Sequence, residues 1–311
     1  MRKVFVVGNI SLDLVLGGIP EYPEWGTEAL IPGYTMRPGG AASNAALCLA
    51  RLGVPTFVVG TVGKDELGEE IRLHFERFGI HTDFLFVIPE KQTGLSVGIT
   101  NSRTKERSFL TDLGAQESLS CEHIESVIPA LEGEDFVLLC GYFLSPRLRT
   151  PKLSSVLQDV RQRKEVCLLF DTGWPTEGWR EEIKQEVRSL VPLFDYLLPN
   201  EKEFEGLGGT EVALLPRRGT IVKKGEKGCE AHTPLGMIAR ATIAVEVQDT
   251  IGAGDYFNAG FIFALREGYP LSLSLQCANF VASLNIASSP KRDGLLTGKE
   301  LQEILLRRDR I

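Results

Sequence analysis

The sequence predicts an α/β fold, a doubly wound and mostly parallel sheet accompanied by a second, smaller sheet. Three observations carry this. Short apolar runs rich in β-branched residues alternate with helical stretches along the 311 residues. Each run is apolar almost throughout, as expected of strands covered by helices on both faces. Two stretches break the alternation and have hairpin composition instead. The strands fall at Val4 to Gly8, Thr56 to Gly60, Phe136 to Cys140, Val166 to Phe170, Tyr196 to Leu198 and Thr220 to Val222.

Between these strands the helix signals are local. A Gly-rich run from Pro38 to Ala46 opens a helix that stops at Gly53. Asp65 is a fitting N-cap for a helix reaching Phe78, where Ile71, Phe75 and Phe78 form one apolar stripe and Gly79 ends it. The first irregular stretch, Leu14 to Tyr34, carries Gly17, Gly18, Pro20, Pro23 and Pro32. The second, Gly94 to Thr111, reads as strands Leu95 to Thr100 and Arg107 to Leu110 around a polar turn. Both look like pieces of the smaller sheet. No internal repeat, low-complexity tract or linker interrupts the chain, so residues 1–311 are expected to form one large domain with a small appendage.

Composition narrows the function. A hydrophobic content of 43% supports a large core, while a net charge of −7 without basic runs argues against nucleic acid as a partner. No apolar run approaches the roughly 18 residues of a membrane span. The five apolar or small residues between Lys3 and Asn9 are too few for a signal peptide. The expectation is a soluble cytoplasmic protein without membrane contact. Six cysteines include no CxxC pair and the four histidines form no cluster, so buried free thiols are expected rather than a zinc or redox site.

The chemistry concentrates in Asp249 to Asp255, where Gly252, Ala253 and Gly254 precede a carboxylate at the start of a helical stretch running to Glu267. Exposed N–H groups and the positive helix end suit an anion there. A carboxylate would repel a phosphate that was merely bound, so Asp255 suggests an acceptor for the proton of an attacking hydroxyl. The same residues also fit a plain Gly-rich turn with Asp255 as N-cap. The run Gly39-Gly40-Ala41-Ala42-Ser43-Asn44 upstream is a second Gly-rich helix opening, which implies two groups to hold.

These two runs, continued by Gly53 and Gly63 in one case and Ala259-Gly260 in the other, resemble the two signature patterns of the ribokinase-like (PfkB) carbohydrate kinase family. The resemblance spans the chain, through Asn9 and Asp13, Asn200-Glu201-Lys202-Glu203, and the turn Lys223 to Gly228. It implies a ribokinase-like fold in which about 14–36 and 93–112 form a β-lid over the sugar, often also a homodimer contact. It implies ATP and Mg²⁺ as cofactors, Asp255 as base with an ordinary carboxylate pKa sufficing, and an anion hole from the amides of Gly252, Ala253 and Gly254.

On the substrate side the resemblance brings Asp13, Gly39, Gly40, Asn44 and Asn9 to a sugar. Their chemistry agrees: a carboxylate accepts two hydroxyls, an Asn amide donates and accepts, and glycines let the backbone approach. Asp13 also fits a loop-stabilising role and Asn9 a turn closure. Asn200, Lys223, Gly225 and Gly228 are implied along the nucleotide, with Asn279 near the adenine. Glu203 is implied in the magnesium shell through water, although Asn200 and Glu203 also have the spacing of a capping box. Asp171, ending its strand beside Trp174, points at the same crevice.

Asp249 matches a residue that in relatives binds K⁺, yet the later loop Ser288 to Gly294 matches that pattern poorly, which leaves K⁺ weakly supported. The function expected is therefore ATP-dependent phosphorylation of a small sugar. A nucleoside kinase stands next, with Tyr22, Trp25 and Tyr34 as aromatics able to stack on a base. A sugar-phosphate kinase follows, drawing on Arg37, Arg103, Lys105 and Arg107, and then an inactive sugar-binding regulator. A dinucleotide-binding dehydrogenase is excluded by Gly8 to Asp13, which lacks the G-x-G-x-x-G pattern.

Overall fold

The computed structural model describes residues 2–104, 107–247, 250–287 and 297–308. Strand β1 (Val4–Val7) explains why the strands read as unbroken apolar runs. Val4 and Val6 pack into one core while Phe5 and Val7 pack into a second core on the other face, so side chains that alternate in direction are all buried.

The first half continues through β2 (Ser11–Ile19), β3 (Tyr34–Gly39), α1 (Ala41–Arg51), β4 (Thr56–Gly63), α2 (Glu66–Arg77), β5 (His81–Ile88), β6 (Leu95–Asn101) and β7 (Arg107–Asp112). The second half runs α3 (Cys121–Val127), β8 (Phe136–Leu139), α4 (Pro151–Arg163), β9 (Cys167–Phe170), α5 (Glu181–Leu190), β10 (Tyr196–Leu197), α6 (Glu201–Leu207), β11 (Gly219–Lys223), β12 (Cys229–Thr233), β13 (Gly236–Arg240), α7 (Ala253–Arg266), α8 (Leu271–Ala287) and α9 (Gly298–Arg308).

Among the described residues the central sheet has nine strands in the order β13-β12-β11-β10-β9-β8-β1-β4-β5. It is parallel from β11 to β5, with β12 and β13 added antiparallel. Helices α1, α2, α7 and α8 cover one face, and α3, α4 and α5 the other. The doubly wound sheet is as expected. Strands β5 and β13 escape the apolar-run criterion because they are the sheet's edge strands with no fully buried position, and β12, next to β13, alternates buried with part-exposed ones. All six cysteines are buried and free. Among the described residues no helix is long and apolar enough to cross a membrane.

The smaller sheet has the order β3-β2-β6-β7. Its register sorts its faces, since Asp13 lies opposite Arg37 and Ser96, and Ser96 lies opposite Thr111. Alternation then places Val15, Gly98 and Phe109 on the face of Asp13, and Leu14, Met36, Val97 and Leu110 on the reverse. Asp65 does more than cap α2. Besides accepting from the Gly68 amide at 2.8 Å, its carboxylate accepts from the Thr93 amide at 2.7 Å and the Thr93 hydroxyl at 2.6 Å, anchoring the chain just before β6.

Candidate active site

The parallel strands deliver the polar residues of the crevice at their C-terminal ends, where open α/β sheets bind ligands. Asn9 follows β1, Asp171 follows β9, and Asn200 bridges to Lys223 at the ends of β10 and β11. Helix α7 meets this edge with its N-terminus. Gly252 caps it with φ of 74°, a left-handed conformation that strains other residues, and the first intrahelical bond runs from the Tyr256 amide to the Gly252 carbonyl at 2.9 Å. The amides before that bond lie outside the helix ladder and suit an anion, although the Ala253 amide already reaches the Thr250 carbonyl at 3.3 Å. Asn285 fixes the approach by donating to the Ile251 carbonyl at 2.9 Å.

Asp255 is the third residue of α7, and its Oδ2 accepts from Asn44 Nδ2 at 2.9 Å. Asn44, expected on the sugar, thus also holds the proposed base across 211 positions of sequence. Burial first, then the Asp171 carboxylate, push the Asp255 pKa up to about 7, with Asp13 adding to the rise while Asn44 and Lys223 oppose it. An ordinary pKa would suffice for a base here, but the site raises it, because the carboxylates of Asp13, Asp171, Glu203 and Asp255 share the crevice with Lys223.

Lys223 is buried. Its Nζ lies 2.7 Å from Asp171 Oδ2, and the two side chains are only 12% and 10% exposed. Burial opposes its charge, but Asp171 and Glu203 outweigh burial and raise its pKa. Asn258 completes the cluster, donating to Asp171 Oδ2 and presenting its Oδ1 to Lys223 Nζ at 3.4 Å. The Lys223 side chain therefore turns into the crevice, while Lys224 pairs with Glu230 at 2.7 Å. Asn258 and Asn285 are absent from the sequence-derived site. Spacing offers a signal for Asn258 alone, three residues beyond Asp255 on the same helix and hence on the same side.

Asn200 and Glu203 form the capping box that their spacing allows, with the Asn200 amide donating to Glu203 Oε2 at 2.8 Å and the Glu203 amide to Asn200 Oδ1 at 2.9 Å. Burial, then Asp171, raise the Glu203 pKa. The two carboxylates thus feel each other electrostatically, which fits a shared divalent cation. Among the described residues no group of three or more His, Cys, Asp or Glu stands ready to hold a metal.

Asp13 is buried beneath Gly39, where an added Cβ would sit 1.9 Å from its Oδ1. Gly40 has φ of 89°, and a Cβ there would lie 2.4 Å from the Asn9 carbonyl, so only glycine fits. Asn9 Oδ1 accepts from the Ala41 amide at 3.1 Å, binding the first turn of α1 to the end of β1.

The residues expected along the nucleotide divide. Gly225 has open space before it. A Cβ on Gly228 would come within 2.0 Å of the Arg240 carbonyl, and Asn279 donates to the Arg240 and Ala241 carbonyls at 3.0 and 3.3 Å, so both tie down the end of β13. Asp249, Lys105 and the loop Ser288 to Gly294 lie outside the described residues. Tyr34 falls on the face of the small sheet opposite Asp13, and Arg103 pairs with Glu21 at 2.9 Å, whereas Arg37 and the unanticipated Phe109 share the face of Asp13.

The model of the pfkB family carbohydrate kinases matches residues 1–297. The chain belongs to this family. It is 27% identical over 309 residues to a ribokinase from Bacillus subtilis, covering 98% of this chain and all of that protein. It is 26% identical to an ATP-dependent ribose-1-phosphate kinase from Halopiger xanaduensis, covering 91% of this chain and 92% of the relative. Among solved structures, a protein from E. coli provisionally named Ribokinase II, in complex with ATP and Mg²⁺, superposes with a TM-score of 0.83 at 21% identity, covering 99% and 100% of the two chains. The pfkB membership accounts for the pairing of a small sheet with a doubly wound one, and for a carbohydrate kinase activity.

Proposed function

We propose that the protein uses ATP and Mg²⁺ to phosphorylate a hydroxyl of a small sugar, with Asp255 as general base. One observation carries this reading: the Asp255 carboxylate stands in the first turn of a glycine-opened helix, held by Asn44 and lifted to about 7. A group with that pKa is poised to take a proton near neutrality. Asp13, close enough to perturb Asp255, would accept the sugar's hydroxyls and aim one of them at that base.

As the oxygen of that hydroxyl bonds to phosphorus, its proton passes to Asp255, and the first-turn amides from Gly252 to Gly254 receive the charge of the transferred group. Lys223, buried and charged beside Gly254, adds positive potential at the same place. Mg²⁺, when bound, neutralises phosphate charge, and Asp171 and Glu203 are the carboxylates that would hold it, in part through water. The small sheet would act as a lid, its Asp13 face over the sugar. Its apolar reverse face, with Met36 and Leu110 exposed, suits a dimer contact, which sedimentation of the Leu110→Glu variant beside the parent chain would test.

The names of the ribokinase, fructokinase and sugar kinase relatives support the sugar reading. A phosphorylated sugar is the second reading, favoured by Arg37, which lies directly opposite Asp13 in the register and not at a hairpin tip. The test is ADP release with free sugars, sugar phosphates, polyols and nucleosides, run beside Asp255→Asn. The expected outcome is one responsive class that falls silent in the variant. A response confined to sugar phosphates and abolished by Arg37→Gln would move the assignment to the second reading. ADP release that persists in Asp255→Asn would remove Asp255 as base.

A further inference from the structure

At the opposite edge of the central sheet, where β1, β8, β9, β10 and β11 begin, a second concavity of about 690 Å³ opens. Phe136, Cys167 and Leu265 give its mainly polar lining an apolar patch, and that lining carries five cations against three carboxylates. In a chain of net charge −7 this is a local inversion of sign.

Most of that charge could be structural, so its partners decide the matter. Arg161 is fully committed, donating to the Leu193 and Val166 carbonyls and to Asp195 Oδ2 at 2.6 Å. Arg2 is committed to Glu134 at 2.9 Å and to the Arg266 carbonyl at 2.8 Å. The remaining three differ. Arg218 is half-committed, lying 3.6 Å from Asp195 and hydrogen-bonded to Tyr196, with a side chain 60% exposed. The side chains of Lys164 and Arg217 have no hydrogen bond or ion pair among the described residues. Asp195 and Glu134 are neutralised by the committed arginines, which leaves Glu165 as the one carboxylate against the uncommitted Lys164 and Arg217 and the half-committed Arg218.

We infer that this cavity binds a small organic phosphate, at a site separate from the catalytic crevice. The volume falls within the usual range for small-molecule sites, about 300–1,000 Å³. An apolar patch in the same lining as uncommitted cations suits a ligand with a carbon skeleton and at least two anionic groups, since guanidinium and ammonium groups take phosphate oxygens as charge-assisted partners. The cavity's concavity favours a small molecule over an extended acidic peptide. This inference does not depend on which alcohol the crevice phosphorylates.

The test is calorimetric titration of the full chain, without nucleotide or Mg²⁺, with fructose 1,6-bisphosphate and with inorganic pyrophosphate, using sulfate as the control anion. The titration is repeated on Lys164→Glu/Arg217→Glu and on Asp255→Asn. Because neither side chain makes a hydrogen bond or ion pair among the described residues and Lys164 contributes only a minor attraction to Glu132, the double variant is expected to keep its melting temperature and its basal ADP release. The site predicts that fructose 1,6-bisphosphate binds the parent chain and Asp255→Asn, more tightly than pyrophosphate, and that the double charge reversal weakens it about tenfold or more. Any of three results would overturn it: no phosphate binding at millimolar concentration, binding untouched by the double variant, or sulfate binding as tightly as the bisphosphate.

Discussion

The two ends of the central sheet handle charge in opposite ways. At the strand beginnings the buried carboxylate of Asp195 is matched by Arg161 at 2.6 Å and by the Leu168 amide at 2.8 Å. At the strand ends Asp171, Glu203 and Asp255 crowd around Lys223, with Asp13 acting on Asp255, and the pKa values of Asp255 and Glu203 are driven up. The first arrangement minimises local free energy. The second leaves Glu203 and Asp255 beside an Asp171 that Lys223 already pairs with, so its persistence points to a cationic or proton-transferring task.

The largest expected effect falls on turnover. Asp255→Asn keeps the shape and an acceptor for Asn44 but removes the base, and kcat is expected to fall about 10³-fold, within the range for a lost general base. The same variant should be the more stable protein in alkali. A carboxylate raised from an ordinary value to about 7 contributes stability below its unfolded pKa, and that contribution is lost as the pH rises through 7. The variant should therefore melt higher than the parent at pH about 8, by on the order of 2 kcal/mol, with the gap closing toward pH about 5. Equal gaps at both pH values would mean that Asp255 is not strained by its neighbours.

At the paired end the expectation reverses. Arg161→Ala strands the Asp195 carboxylate, whose side chain is 5% exposed, and should cost about 3 kcal/mol of stability in denaturant melts. Because the crevice lies at the other end of these strands, kcat of the folded variant should hold. A large loss of kcat without loss of stability would dissolve the division between the two ends.

How much of this contrast is legible in sequence depends on its range. The doubly wound sheet follows from the apolar runs, because burial on both faces is written into consecutive residues such as Val4 to Val7. The glycines before Asp255 and the capping box at Asn200 are local and readable. The grip of Asn44 on Asp255 spans 211 positions and that of Asn258 on Asp171 spans 87, and no spacing rule reaches so far. The same holds for the Asp255 pKa, which is set by residues on other elements. The faces of the small sheet needed the register, which moves Tyr34 away from Asp13 and brings Phe109 toward it.

The intermediate effects are shifts in the acid limb of kcat/KM, which reports the free enzyme. With Asp255 near 7, activity should rise as the pH passes through neutrality. Lys223 lowers the Asp255 pKa, so Lys223→Met should move the limb to higher pH and cut kcat about tenfold or more through the lost positive charge. Asp171 raises it, so Asp171→Asn should move the limb to lower pH. Opposite displacements from two residues of one ion pair would identify charge as the cause. Displacements in the same direction would assign the effect to distorted geometry.

The smallest effect separates charge from position most cleanly. Asn258 is neutral, so Asn258→Ala leaves the sum of charges in the crevice unchanged while removing the amide that donates to Asp171 and the oxygen 3.4 Å from Lys223 Nζ. The ion pair between Asp171 and Lys223 at 2.7 Å remains, with one hinge fewer to hold it. Turnover should fall only about threefold, the cost of roughly 0.7 kcal/mol of misplacement, and the acid limb should stay where it is. A limb displaced as far as in Lys223→Met would show that Asn258 sets the field at Asp255 by fixing where Lys223 sits, and the crowding at the strand ends would then be a matter of side-chain placement as much as of charge.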